Sequence, residues 1–184
     1  MTDNSTGRRG SAGGVLVAAT VAMGLFAGVF YIFACNIMPS LSRSDDRVFI
    51  EVMQNINDQI QNPVFFLSFL GAPLLAAIAA WQSRRSPYRW WVFAGFAAVA
   101  LAFLLTVTVN IPLNNEIVDA GDPARIADPA AVREEFEDPW VAWNIVRALL
   151  STLALACLAR ALMLYRGPHT SAYLESAAGS SASR

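Results

Sequence analysis

Trp140-Val-Ala-Trp-Asn-Ile-Val-Arg147 opens the last long apolar stretch of the chain, and its reading decides the fold. On a helix of 3.6 residues per turn Trp140, Trp143, Asn144, Arg147 and Ser151 fall within one stripe, two indoles above three polar side chains. Arg147 lies roughly 10 Å below Trp140 at 1.5 Å per residue. It therefore reaches hydrocarbon, where a charge costs at least ~2.5 kcal/mol. Such a stripe must face something other than lipid, so further spans have to surround it. Arg147 is then a functional-site candidate by default.

The rest of the composition agrees with a membrane bundle. The 184 residues are 55% hydrophobic and only 15% charged, with a mean hydropathy of +0.44, which is too apolar for an ordinary soluble domain. The expected fold class is all-α, an integral membrane four-helix bundle with an extracytoplasmic amphipathic helix and a longer acidic loop. A net charge of -1 excludes a nucleic-acid partner, because no basic patch is available to neutralise a row of phosphates. Cys35 and Cys157 sit near opposite ends of their apolar segments, beyond disulfide reach. His169, the only histidine, lies in the polar tail. That removes the commonest metal ligand from the membrane region.

Working outward along the chain, residues 1–13 are polar and rich in Gly and Ser, a composition expected to be disordered. The membrane domain follows over 14–164, with spans expected at about 14–38, 63–81, 90–109 and 140–164. A cleaved signal peptide is the rival reading of the first, disfavoured by the length of its apolar region and by bulky Phe33 before Cys35. Gly24-Leu-Phe-Ala-Gly28 forms a small-xxx-small face, continued by Tyr31 and Cys35, for close approach of a neighbouring helix. Pro39 is expected to end this span.

Ser42-Arg-Ser-Asp-Asp46 reads as a helix start, and Val48, Phe49, Val52, Met53, Ile56 and Ile60 recur at helical spacing. This helix is amphipathic rather than spanning, and its amides, Gln54 and Asn57 among them, are either solvated or folded over the bundle mouth. Pro73 is expected to kink the second span. Residues 110–139 form the longest connection, with a short helix over Ala130–Glu137, and 165–184 is expected to be a disordered tail. Arg8, Arg9, Arg84, Arg85, Arg89 and Arg166 flank one side of the spans while the longer loops are acidic. By the positive-inside rule both termini are cytoplasmic, in a multi-pass protein of the cell membrane.

Four motifs in order now become recognisable: Gly28-Val-Phe-Tyr-Ile-Phe33 with Met38-Pro-Ser-Leu41, Met53-Gln-Asn-Ile-Asn57, Asn110-Ile-Pro-Leu-Asn-Asn115, and Trp140-x-x-Trp-Asn-x-x-Arg147. Together they resemble the anthrone oxygenase-like family of small membrane proteins, over roughly residues 14–164. The resemblance implies four spans and, in some fungal relatives, oxidation of an anthrone to an anthraquinone by dioxygen with no known cofactor.

The residues are compatible with that chemistry. An anthrone is a flat, apolar carbon acid, and Trp140 and Trp143 offer a surface on which to stack it. Asn36, Gln54, Asn57 and Asn114 complete the candidate substrate-binding set. Arg147, Asn144 and Asn110 are the candidate donors to an enolate oxygen. Glu116 or Asp138 is the candidate base, each needing an upward pKa shift by burial. The expected partners are the lipid bilayer, dioxygen and a small hydrophobic aromatic substrate, with no metal ligands. Two other readings stand beside this one: Arg147 as a structural tie between helices, and a non-enzymatic protein that binds a lipid or a partner through its outer cap. A transporter is weaker, because one intramembrane arginine without an intramembrane acid makes a poor relay.

Overall fold

The computed structural model describes residues 3–165. These residues form seven α-helices and no strand: α1 (Asp3–Ile32), α2 (Met38–Leu41), α3 (Asp46–Gln59), α4 (Pro63–Ser83), α5 (Arg89–Leu105), α6 (Ile111–Asp119) and α7 (Pro129–Leu164). Four rods are long and apolar enough to cross a membrane: Ala12–Leu41, Pro63–Ser83, Arg89–Asp119 and Pro129–Leu164. The chain is a multi-pass membrane protein. Its spans close a square in chain order, with α1 against α4, α4 against α5, α5 against α7, and α7 back against α1.

Small residues bring these rods together. Between equally apolar helices, close packing replaces the hydrophobic drive that lipid removes, and Ala19, Ala72, Ala76, Ala98, Val99, Ala102, Ala154 and Ala161 are buried along the seams. Gly95 marks a close approach of α5 to α7: a Cβ there would stand 3.2 Å from Leu158 Cγ and 3.3 Å from the Ala154 carbonyl. The Gly24 and Gly28 face behaves otherwise. A Cβ at Gly24 would reach only Leu155 of α7, at 4.0 Å, and one at Gly28 would meet nothing within 4 Å; Tyr31 and Cys35 are exposed, so beyond Gly24 no neighbouring helix among the described residues uses this face.

Two spans carry a π-helical turn, Phe33–Ile37 and Thr106–Asn110, in which Met38 N–H donates to Phe33 O and Ile111 N–H to Thr106 O. Pro39 and Pro112 follow one residue later. A proline lacks an N–H and crowds the carbonyl four residues back, which a widened turn relieves. Pro39 therefore does not end the first rod, which continues to Leu41. Beyond the second turn, Leu113 and Ile117 recur at i, i+4 and pack inward, so much of the expected 110–139 connection is helix. Its second half also belongs to a rod, since α7 runs unbroken from Pro129 through Pro139 into the span. Glu135, whose carbonyl a non-proline residue 139 would have used, is at the exposed surface where water satisfies it. α4 likewise continues through Pro73.

The ends differ from expectation as well. α1 begins at Asp3, so most of the stretch expected as a disordered lead-in is drawn into the helix; propagation adds a hydrogen bond per residue once a nucleus exists. The expected tail beyond Tyr165, with His169, lies outside the described residues.

One end of the bundle is capped. Asp45 accepts from Arg47 N at 3.0 Å to start α3, and this helix packs on α6 and α7. Phe49, Ile50, Met53 and Asn57 form its buried face, while Val48 is exposed. The helix is thus turned slightly from the orientation its apolar spacing suggested, and Asn57 points inward. Beneath it lies a second core of Phe33, Met38, Phe49, Ile50, Met53, Ile117, Phe136 and Trp140.

Three polar side chains clamp the cap. Gln54 donates to the carbonyls of Ile117 at 2.8 Å and Gly121 at 2.9 Å, the latter presented by a glycine at φ 79°, where a β-carbon would be strained. Arg47 donates to Pro123 O and Ile126 O. Arg133 donates to Ser42 O, Ser44 O, Asp46 and Glu137, with its guanidinium 4.6 Å above the Phe49 ring. Removing a charged hub of this kind costs about 2 kcal/mol. Arg133→Ala should accordingly speed amide exchange along α3 by roughly thirty-fold while leaving α4 and α5 protected. Unchanged exchange in α3 would show that the cap is held by its apolar face alone.

Candidate functional site

The stripe read from α7 faces inward. Trp140 is 5% exposed, Asn144 0%, Arg147 4% and Ser151 0%, as a charge within a span requires. Trp143 stands one helical step to the side of Asn144 and is 38% exposed. It faces outward and does not join Trp140 in a stacking slot. Aromatic walls come instead from other rods: Phe30 and Phe33 of the first, and Phe65, Phe66 and Phe69 of α4. With Met53, Ile56 and Asn57 of α3 as ceiling and Asn114 of α6 at the side, they enclose a cavity of about 310 Å³. That is within the usual range for small-molecule sites.

Arg147 is held at the cavity wall by few partners. One terminal nitrogen donates to Asn144 Oδ1 at 3.0 Å and the other to Thr106 Oγ1 at 3.4 Å. Asn144 in turn donates to Phe30 O at 3.1 Å, and Thr106 donates its own hydroxyl to Ala102 O at 2.8 Å. The guanidinium carbon lies 4.4 Å from the centre of the Phe30 ring and 5.4 Å from that of Trp140, so ring faces supply part of the compensation for the charge. The Nε donor has no protein partner. The third-span partner of this guanidinium is Thr106 and not Asn110. Asn110 is fully buried nearby, donating to Trp140 O at 3.4 Å with its own oxygen unpartnered.

The remaining candidates separate into those the fold brings to the cavity and those it does not. Asn57 lines the ceiling with its Nδ2 unpartnered. Asn114 lines the side and accepts from Trp140 Nε1 at 2.7 Å. Gln54 is spent on the cap clamp, and Asn36 is exposed, outside the lining. Glu116 and Asp138 are both exposed and neither lines the cavity. The expectation of a buried carboxylate base therefore fails: at helical spacing Glu116 is carried to the solvent side by the inward turn of Ile117, and Asp138 by that of Trp140. Among the described residues no carboxylate, histidine or cysteine is in the lining. The site is an aromatic slot with one cation and amide dipoles, suited to a flat molecule whose oxygen carries or develops negative charge.

The model of the anthrone oxygenase family matches residues 52–157, more than half of the chain. The chain belongs to this family. The anthrone oxygenase match takes in Asn57, the α4 phenylalanines, Thr106, Asn114, Trp140, Asn144 and Arg147, leaving only the α1 wall of the cavity outside it. Among curated proteins and among solved structures nothing matches the chain.

Phe30, Phe65 and Phe69 were missed because phenylalanine in an apolar span carries no sequence signal of its direction. Thr106 was foreshadowed by sharing a helical face with Asn110.

Proposed function

We propose that the cavity binds a flat, membrane-soluble carbon acid of the anthrone type and oxidises its ring methylene with dioxygen. The observation that carries this reading is the buried guanidinium with a free N–H at the wall of an aromatic slot. Loss of one methylene proton leaves an enolate, whose oxygen Arg147 holds with Asn144 as its positioning residue. The enolate carbon forms a bond to dioxygen, giving a peroxide that takes up a proton. Loss of water from this hydroperoxide then breaks the O–O bond and the remaining C–H bond. The methylene becomes a carbonyl by losing four electrons, and dioxygen takes all four, one oxygen entering the product and one leaving as water.

Among the described residues the lining contains no carboxylate, so the first proton passes to water at the mouth, where Gln61 and Asn115 form the polar part of the rim. The substrate must be acidic enough to ionise with only the cation's help. Turnover should then rise with pH through the bound substrate's own ionisation, and the inflection should move with the acidity of substituted anthrones. Glu116→Gln and Asp138→Asn should each leave the rate within about twofold, whereas loss of a working general base costs ~100-fold or more. A large loss in either variant would restore that carboxylate to the mechanism.

Oxygen uptake by the purified protein in lipid nanodiscs with a hydroxyanthrone, above spontaneous autoxidation, tests the reading directly. A ring compound retained without any oxygen uptake would favour the binding-protein alternative.

We also propose that the cap is extracytoplasmic in the cell membrane, with both termini cytoplasmic, on the arginine asymmetry. In a Cys35→Ser background, Ser44→Cys and Asp122→Cys should label from outside intact cells and Ser86→Cys should not. Outside labelling at residue 86 would invert the topology.

A further inference from the structure

A second concavity, of about 370 Å³, lies between the capped ends of α1 and α4. It shares Val29, Phe30, Ile60, Phe65 and Phe69 with the ring cavity, so the two volumes have a common wall. Leu25 and Val64, which line only this groove, are among the more exposed apolar residues of their rods, as expected of a surface that meets lipid. Its two polar residues are engaged by neighbouring backbone groups. Asn62 accepts from Phe65 N at 3.0 Å and donates to Gln59 O at 2.9 Å, and Ser68 donates to Val64 O at 3.4 Å. Phe65 is half-buried in the first turn of α4, its ring stacked on Phe69 with centroids 5.4 Å apart. Phe65 is thus one of the five residues that separate groove from cavity.

From this shared wall we infer that the groove seats a hydrocarbon substituent of the substrate, an alkyl or isoprenoid chain attached to the ring that occupies the cavity. The inference rests on the cavity being the ring site. The other opening suits a chain less well, because its rim includes Gln61 and Asn115 and α6 carries exposed Glu116 and Asp119 beside it. Water, dioxygen and protons use that mouth, and the chain leaves toward lipid between α1 and α4.

Lipid tails are as apolar as the groove, so a chain gains little by exchanging one for the other. The groove acts by giving the chain room, and the test has to be steric. A hydroxyanthrone and its decyl derivative are titrated into the full-length protein in nanodiscs under argon, with concentrations expressed per mole of lipid so that partitioning cancels. The wild type should bind both within about threefold. Ser68→Trp, which fills the groove from α4 without entering the cavity lining, should weaken the decyl compound at least tenfold and leave the unsubstituted ring unchanged. Leu25→Trp, filling it from α1, should do the same.

Equal binding of the decyl compound by wild type and both variants would overturn the inference. So would its exclusion by Val118→Trp at the mouth and not by the groove variants, since the chain would then leave by the mouth. Slower binding of both compounds at unchanged affinity would make the groove a passage and not a seat, which also overturns it. Failure of the unsubstituted ring to bind the wild type would reject the cavity reading itself, and failure of the decyl compound alone would overturn the groove inference.

Discussion

Arg147→Ala should lower turnover by ~100-fold or more, the loss seen when a preorganised donor to a developing oxyanion is removed. The expectation follows from what surrounds the guanidinium. It is nearly fully buried, has no carboxylate partner among the described residues, and keeps its Nε–H without a protein acceptor. A purely structural arginine would be expected to use all its donors, since each unsatisfied one costs free energy in a buried site. Arg147→Met keeps most of the side-chain volume but leaves the buried Asn144 oxygen without its donor, which costs about 1–3 kcal/mol, so it should stay folded with a modestly lowered melting temperature while losing the same activity. That pairing separates catalysis from folding. Arg147→Lys should recover less than a tenth of the wild-type rate, because an ammonium lacks the planar fork that serves Asn144, Thr106 and a substrate oxygen together. Oxygen uptake in Arg147→Ala equal to that of wild type, above the spontaneous background, would leave Arg147 as the tie between helices that its spacing equally allowed.

How much of this was legible in the sequence varies with the kind of signal. The four spans follow from length and apolarity, which a bilayer reads almost without context. Placement of Arg147, Asn144 and Trp140 on an inward face was legible because polar groups inside an apolar run have few places to go. Trp143 was misread because a stripe some 100° wide has edges, and a tryptophan at the edge of a span is as well placed facing the bilayer interface as facing the bundle. α6 was missed for a different reason. Asn110-Ile-Pro-Leu-Asn-Asn115 looks like turn chemistry in isolation, and the π turn before Pro112 accommodates the proline so that the backbone continues as helix. The misplacement of Glu116 and Asp138 follows from that: in a loop either could fold back over the mouth, whereas on a helix their direction is set by Ile117 and Trp140.

Trp140→Ala should be the most destabilising single change at this end of the molecule, by about 3–5 kcal/mol, a large share of the 5–15 kcal/mol typical of a folded domain. The indole joins the cap's core to the cavity. It stacks on Phe136 with centroids 6.0 Å apart, meets Phe33 at 5.5 Å, and donates to Asn114 at 2.7 Å. Truncation opens a void between α6 and α7, leaves the Asn114 oxygen without its donor and removes a ring face from Arg147. Trp140→Phe retains most of the packing and loses chiefly the hydrogen bond, so it should cost about 1–2 kcal/mol. Trp143→Ala, three residues along the same helix but facing outward, should stay within about 0.5 kcal/mol and leave turnover within about twofold. Thermal unfolding of the three variants in one lipid environment orders them. Similar losses at 140 and 143 would mean that both indoles act only as interface anchors, and the link argued here between cap core and cavity would not hold.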